Sequence, residues 1–205
     1  MQTTPLYMPK DHMDELYNSD NFLVRYVHRN RLDNIVKTMP KQDNLKVLDA
    51  GCGEGHLLEL LENKNKNNSY YGIDLTSEAL ARAKERCPNM TFIQADLSKI
   101  DIEDNFFDFI VCTETLEHVD TYQEVINEFK RILKPGGYLV ITFPNEFWWT
   151  VSRFLLGRRP IRVPDHINFF SPKKNEILCR LSNREKHGAA IFLDILLITR
   201  PTNKI

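Results

Sequence analysis

The sequence predicts an α/β fold, a doubly wound and mostly parallel sheet with helices on its two faces, and three observations carry that expectation. Apolar runs of strand length alternate with segments of helical periodicity along the chain, with no internal repeat. One such run, 45–48, stops at an acid and the turn Asp49-Ala50-Gly51-Cys52-Gly53-Glu54-Gly55, and a helical pattern (Leu57, Leu58, Leu60, Leu61) follows directly. A later run, 106–112, is almost continuously apolar, as expected of a central parallel strand covered on both faces.

Taken in order, residues 1–13 are polar with two prolines and are expected to be loosely held. Over 14–39, Leu16, Phe22, Leu23, Tyr26, Val27, Leu32, Ile35 and Val36 predict an amphipathic helix lying on the sheet; in related folds a leading helix covers the bound ligand, which makes Tyr17 and Arg25 candidates for touching it. The turn at 49–55 and its helix come next, then a polar connection over 63–69 and a second strand over 70–74. Ser77 is expected to cap a helix over 78–87, which Pro88 stops. A third strand is expected over 90–95 and the central one over 106–112. An amphipathic helix over 122–133 ends at Lys134-Pro135-Gly136-Gly137, and a fifth strand follows over 138–143. A helix over 172–181 and a strand over 191–199 complete the pattern, whereas 182–188 is polar and gives no clear strand. The sixth strand is therefore expected to be very short or missing. With 205 residues, one domain spanning 1–205 is the expectation.

Glycines at a strand-to-helix turn permit positive φ and let a ligand approach the main chain closely, so 49–55 reads as a ligand site. The dinucleotide fingerprint G-x-G-x-x-G does not fit, because the glycines fall at 51, 53 and 55 and position 56 is His56. Asp49 and Glu54 would repel a diphosphate; they suit a ligand bearing an ammonium and a sulfonium, such as S-adenosylmethionine. Asp74 lies 19 residues past Gly55 (74 − 55), close to the offset of roughly 20 at which a strand-end acid takes ribose hydroxyls. The two oxygens of its carboxylate match two vicinal hydroxyls.

The stretch Val47-Leu48-Asp49-Ala50-Gly51-Cys52-Gly53-Glu54-Gly55 resembles the first motif of the class I S-adenosylmethionine-dependent methyltransferases. The segment 129–144, FKRILKPGGYLVITFP, is similar to that family's post-motif segment. The resemblance covers about 14–200, most specifically 45–144, and implies a Rossmann-like methyltransferase fold with a seven-stranded, mostly parallel sheet. It implies that Asp49, Gly51 and Gly53 hold the methionine part, Asp74 the ribose, and Asp96 with the Leu97 amide the adenine. Ala50, Cys52, Leu75 and Thr113 are implied as further cofactor-contacting positions.

Beyond the central strand stands Glu114-Thr115-Leu116-Glu117-His118, at the strand end where chemistry sits in open α/β sheets. If these residues form a helical turn, Glu114, Glu117 and His118 share one face, and two carboxylates with an imidazole suit Mg²⁺, Mn²⁺ or Zn²⁺. With His166 from a later segment, the set resembles that of small-RNA 3′-terminal 2′-O-methyltransferases and ubiquinone-pathway O-methyltransferases. There a divalent ion holds the acceptor oxygens and lowers the hydroxyl pKa. Many small-molecule methyltransferases carry Glu-His-Val at this place without a metal, the histidine lining the pocket or acting as base. Glu117 and His118 are the catalytic candidates under both readings.

The insertion at 145–170 begins with a stretch rich in aromatic and basic residues, among them Phe147, Trp148, Trp149, Arg158 and Arg159. It reads as a helix over the sheet edge, a lid on an apolar acceptor, a membrane-surface piece or an RNA contact. A formal net charge of −1 favours a small-molecule acceptor over nucleic acid. Four widely spaced cysteines, no leader-like segment and no long apolar run place the expectation in the cytoplasm, with at most peripheral membrane contact. The activity implied is methyl transfer, O-methylation favoured. Metal-dependent RNA 2′-O-methylation and a non-catalytic cofactor-binding module are the alternatives.

Overall fold

A computed structural model describes residues 20–144, 168, 183–186 and 193–199. Helix α1 (Phe22–Thr38) leads into strand β1 (Lys46–Ala50), helix α2 (His56–Lys64), β2 (Ser69–Asp74) and α3 (Ser77–Arg86). Then come β3 (Thr91–Gln94), β4 (Phe107–Thr113), a 3₁₀ turn (Leu116–His118), α4 (Tyr122–Ile132) and β5 (Leu133–Pro144). Strands β6 (Asn183–Lys186) and β7 (Leu193–Thr199) follow. The sheet order is β3-β2-β1-β4-β5-β7-β6. The first five strands are mutually parallel, and β7 pairs antiparallel with both β5 and β6.

Side-chain alternation splits the core into two halves, one per sheet face. Leu48, Ala50, Ile110, Cys112, Leu139, Ile141 and Phe143 point to one face, where Val125, Ile126, Phe129 and Ile132 of α4 meet them. Val47, Phe109, Val111 and Val140 point to the other, against Leu32 and Ile35 of α1, Met39 just after it, Leu57, Leu58 and Leu61 of α2, and Leu80 of α3. Each helix supplies the apolar stripe that spacings of three and four residues put on one side. Strands covered on both faces have no position for an exposed polar residue, which is why β1 and β4 read as apolar runs.

Several boundaries differ from the sequence expectation. Asp20 and Asn21 form a bend, so the helix that covers the sheet starts at Phe22 and is not continuous from 14. The residue before α3 is Thr76, not Ser77, and Thr76 gives its hydroxyl to Asp74 rather than to the helix. Leu133 leaves α4 for the sheet because it pairs with Phe107, and the register shifts between Phe107 and Phe109. The sixth strand is very short, four residues inside the polar stretch that carries no strand signal of its own. Its hydrogen bonds come from β7 rather than from its own periodicity. The N-terminal residues 1–13, Tyr17, most of the 145–170 insertion and the helix expected over 172–181 lie outside the described residues.

Candidate functional site

The chain runs β1, β2, β3 toward one sheet edge and then returns to place β4 on the other side of β1. That reversal opens a crevice at the carboxyl ends of β1 and β4, and the glycine turn stands on it. Gly51, Gly53 and Gly55 all have positive φ, at 79°, 49° and 82°. The turn is anchored to the neighbouring strand: Gly51 N and Cys52 N both donate to Ile73 O, at 2.8 and 3.0 Å. Gly51 and Gly53 differ in what surrounds them. A Cβ on Gly51 would run into the Thr115 side chain, 2.8 Å from its Cγ2, whereas a Cβ on Gly53 would meet nothing within 4 Å. Gly51 thus packs against the segment that follows β4, and Gly53 borders open space.

Asp74 closes the turn from β2. Its Oδ2 accepts from Gly53 N at 2.9 Å, and its Oδ1 accepts from Thr76 N at 2.9 Å and from the Thr76 hydroxyl at 2.5 Å. A carboxylate offers about four lone-pair sites, so Oδ2 keeps one in this arrangement. A second contact with a diol requires the Thr76 hydroxyl to turn away. Next to it Leu75 is 64% exposed, an apolar side chain at the crevice edge. Asp96 is exposed and gives Oδ1 to Ser98 N and Ser98 Oγ, both at 2.8 Å, which leaves Oδ2 for another donor. Ala50, Cys52 and Leu97 are buried. Thr113 ends β4 beside Thr142 of β5, and both hydroxyls lack a hydrogen-bond partner among the described residues.

Glu54 does not serve the crevice as its charge suggests in the sequence. It is buried beside Arg82 of α3, 2.9 Å from its Nε, and Arg86 Nε donates to its carbonyl at 3.1 Å. The crevice acid from this turn is Asp49 alone. Only 2% of it is exposed, and its Oδ1 has no hydrogen-bond partner among the described residues. Burial, and then the nearby Asp74 charge, push its carboxyl up to about 8. An acid with a higher pKa folded than unfolded binds more protons in the folded state. Stability of the ligand-free protein is therefore expected to fall as pH rises from 3.8 to about 8. Urea denaturation from pH 5 to 8.5 measures this: the native protein should lose up to about 1.4 kcal/mol per pH unit relative to Asp49→Asn.

The acidic segment after β4 is not one helical turn. Glu114 adopts φ 46°, its amide donating to Thr142 O at 3.2 Å, and only Leu116–His118 forms the 3₁₀ turn. A non-glycine residue in the left-handed region costs about 1–2 kcal/mol. Glu114 is held there by a hydrogen-bonded ion pair with Arg31 of α1. Arg31 is 7% exposed, and its place on the stripe with Ile35 and Met39, at four-residue intervals, was a readable signal that a buried cation faces the sheet. Arg31 is the inward cation of this helix, six positions after Arg25. Glu117 is 1% exposed and His118 is half-buried. Asn168 donates through its backbone N to Glu117 O at 3.0 Å and through Nδ2 to Leu116 O and Val119 O at 3.2 and 2.6 Å.

The structure thus brings Glu117 and His118 together and turns Glu114 to Arg31. Among the described residues no group of three or more His, Cys, Asp and Glu side chains is placed to hold a metal ion; His166 lies outside them. Cys52, Cys87 and Cys112 are buried and free. None of the described helices is long and apolar enough to cross a membrane.

A crevice at the switch point, floored by alternating glycines and flanked by acids at the ends of β1 and β2, is what an adenosyl cofactor with a cationic amino-acid tail requires. Residues 48–141 match the family described as a methyltransferase domain. The chain is 32% identical over 111 residues to a ubiquinone/menaquinone biosynthesis C-methyltransferase of Campylobacter jejuni, covering 52% of this chain and 47% of that protein. It is 30% identical over 152 residues to a ubiquinone biosynthesis O-methyltransferase of Dechloromonas aromatica, covering 68% of this chain and 64% of that one. The chain spans about half the length of most of the curated relatives it matches. The fold is shared with magnesium protoporphyrin IX methyltransferase from Synechocystis, solved with bound S-adenosylhomocysteine: TM-score 0.69, 20% identity, 93% of each chain covered. Residues 48–141 carry a methyltransferase domain of the class I S-adenosylmethionine-dependent type.

Proposed function

We propose that the protein transfers the methyl group of S-adenosylmethionine to a small, partly hydrophobic acceptor, with oxygen as the favoured acceptor atom. The observation that carries this reading is the open space beside Gly53, whose amide donates to Asp74, the neighbour of exposed Leu75. A buried acid with an oxygen still lacking a donor fits an ammonium group, the last lone pair of Asp74 fits a ribose hydroxyl, and Leu75 offers an apolar contact for a base. When bound, the cofactor supplies an electrophilic methyl on sulfonium, which an acceptor displaces in line.

What the protein adds is chiefly alignment of the two reactants. His118, at the carboxyl end of the 3₁₀ turn, takes the acceptor proton, and buried Glu117 beside it shapes the wall. The relatives named above include both an O- and a C-methyltransferase, and a polar acceptor with a hydrophobic portion is common chemistry to both names. The Arg31–Glu114 pair favours a metal-free pocket, because Glu114 already has a full counter-charge.

The test is transfer of labelled methyl from S-adenosylmethionine to a panel of phenols, catechols and carboxylic acids, with and without chelator. Product that forms equally in both is expected, together with a loss of about a hundredfold or more in kcat for His118→Ala. Transfer to an RNA 3′ end that chelator abolishes would establish the metal-dependent reading instead. Cofactor binding without turnover on any acceptor would point to a binding module.

A further inference from the structure

We propose that Asn168 is a positioning residue that fixes the Glu117–His118 turn, joining the segment after β5 to the acceptor side of the site. The proposal rests on reading that turn as the acceptor wall, and its geometry stands independently of the reading. A 3₁₀ turn of three residues satisfies few of its own carbonyls. Here the turn supplies two internal bonds, His118 N to Thr115 O at 3.0 Å and Val119 N to Leu116 O at 3.3 Å. The carbonyls of Leu116, Glu117 and Val119 all receive donors from one distant residue.

Asn168 spends both protons of its side-chain amide and its backbone N–H on that stretch. Its partners lie 52 and 49 positions earlier in the chain for the side-chain bonds. The chemistry is specific to a short amide. Aspartate has the same shape but would set a carboxylate oxygen against two carbonyl oxygens; serine has one donor and a shorter reach. Neither change touches the backbone bond to Glu117 O. Leu116 is fully buried and Glu117 is 1% exposed, so a turn whose carbonyls lose their donors cannot recover them all from water without moving. Movement of this turn displaces Glu117 and His118 while leaving the glycine turn, held by Ile73 and Asp74, where it is.

The experiment compares native protein with Asn168→Asp and Asn168→Ser by NMR amide exchange, by pH titration of the His118 imidazole, and by calorimetric titration with S-adenosylhomocysteine. Exchange at the His118 and Val119 amides should quicken about tenfold or more in Asn168→Asp and by less in Asn168→Ser. The His118 midpoint should move by about half a pH unit or more in Asn168→Ser, which brings no new charge near the imidazole, a readout that simple loss of stability does not shift. Affinity for S-adenosylhomocysteine should stay within about threefold. If Asn168→Asp does not fold, Asn168→Ser carries the test alone. Unchanged exchange at 118 and 119, or an unchanged His118 midpoint in a folded variant, would overturn the proposal. Failure of native protein to bind S-adenosylhomocysteine would instead strike the cofactor reading, and the amide exchange would still decide the role of Asn168.

Discussion

Replacing Asp74 with alanine is expected to weaken S-adenosylhomocysteine binding at least about thirtyfold, or about 2 kcal/mol. One charge-assisted hydrogen bond to ribose accounts for an effect of that size. The structure adds a second contribution, because the same carboxylate accepts from Gly53 N and from both donors of Thr76. Alanine therefore removes the ribose partner and loosens the turn that faces the ligand. Asparagine should not rescue binding: whichever way its amide lies, an N–H₂ group replaces an acceptor that Gly53 or Thr76 needs. Calorimetric titration of the three proteins checks this, and equal affinities would remove Asp74 from the cofactor site.

The second large effect separates two glycines that look equivalent in sequence. Gly51→Ala should cost about 2–5 kcal/mol of stability, combining a left-handed φ of 79° with insertion of a methyl into Thr115. Against a typical total of about 5–15 kcal/mol, that approaches loss of the fold. Thr115→Ala removes the two closest atoms, so the double variant should recover about 1 kcal/mol or more relative to Gly51→Ala alone. Gly53→Ala has a φ of 49° and nothing within 4 Å, so its stability should fall by only about 1 kcal/mol. Its methyl group occupies the volume reserved for ligand, and affinity for S-adenosylhomocysteine should drop about tenfold or more. Urea denaturation and calorimetry on the same preparations measure the split. A Gly53→Ala protein that binds normally would show that the open space is not the cofactor site.

The sheet was legible where covering on both faces leaves no choice of residue. β1 and β4 are apolar because helices lie on each side, and the strand-glycine-helix order at 49–55 follows from the turn chemistry. The boundaries that sequence misplaced are those set by partners far along the chain. Leu133 joins β5 because Phe107 is opposite it, and β6 exists because β7 pairs with it. The site divides the same way. Asp49, Gly51, Gly53 and Asp74 announce themselves through residue type and spacing. Glu54 has the right charge in the right loop, but α3 claims it through Arg82. Arg31, Thr115 and Asn168 act through contacts with no local pattern: Arg31 meets Glu114 83 positions away. Of these three only Arg31, a cation on an apolar helix stripe, left a trace in the sequence.

The central claim is that the crevice between β1 and β4 accepts an adenosyl sulfur nucleoside and not a dinucleotide. Its most direct measurement is calorimetric titration of the full chain with S-adenosylhomocysteine and, separately, with NAD. Saturable one-to-one binding of S-adenosylhomocysteine with no heat from NAD is the predicted result; tight binding of NAD with none of S-adenosylhomocysteine would contradict it.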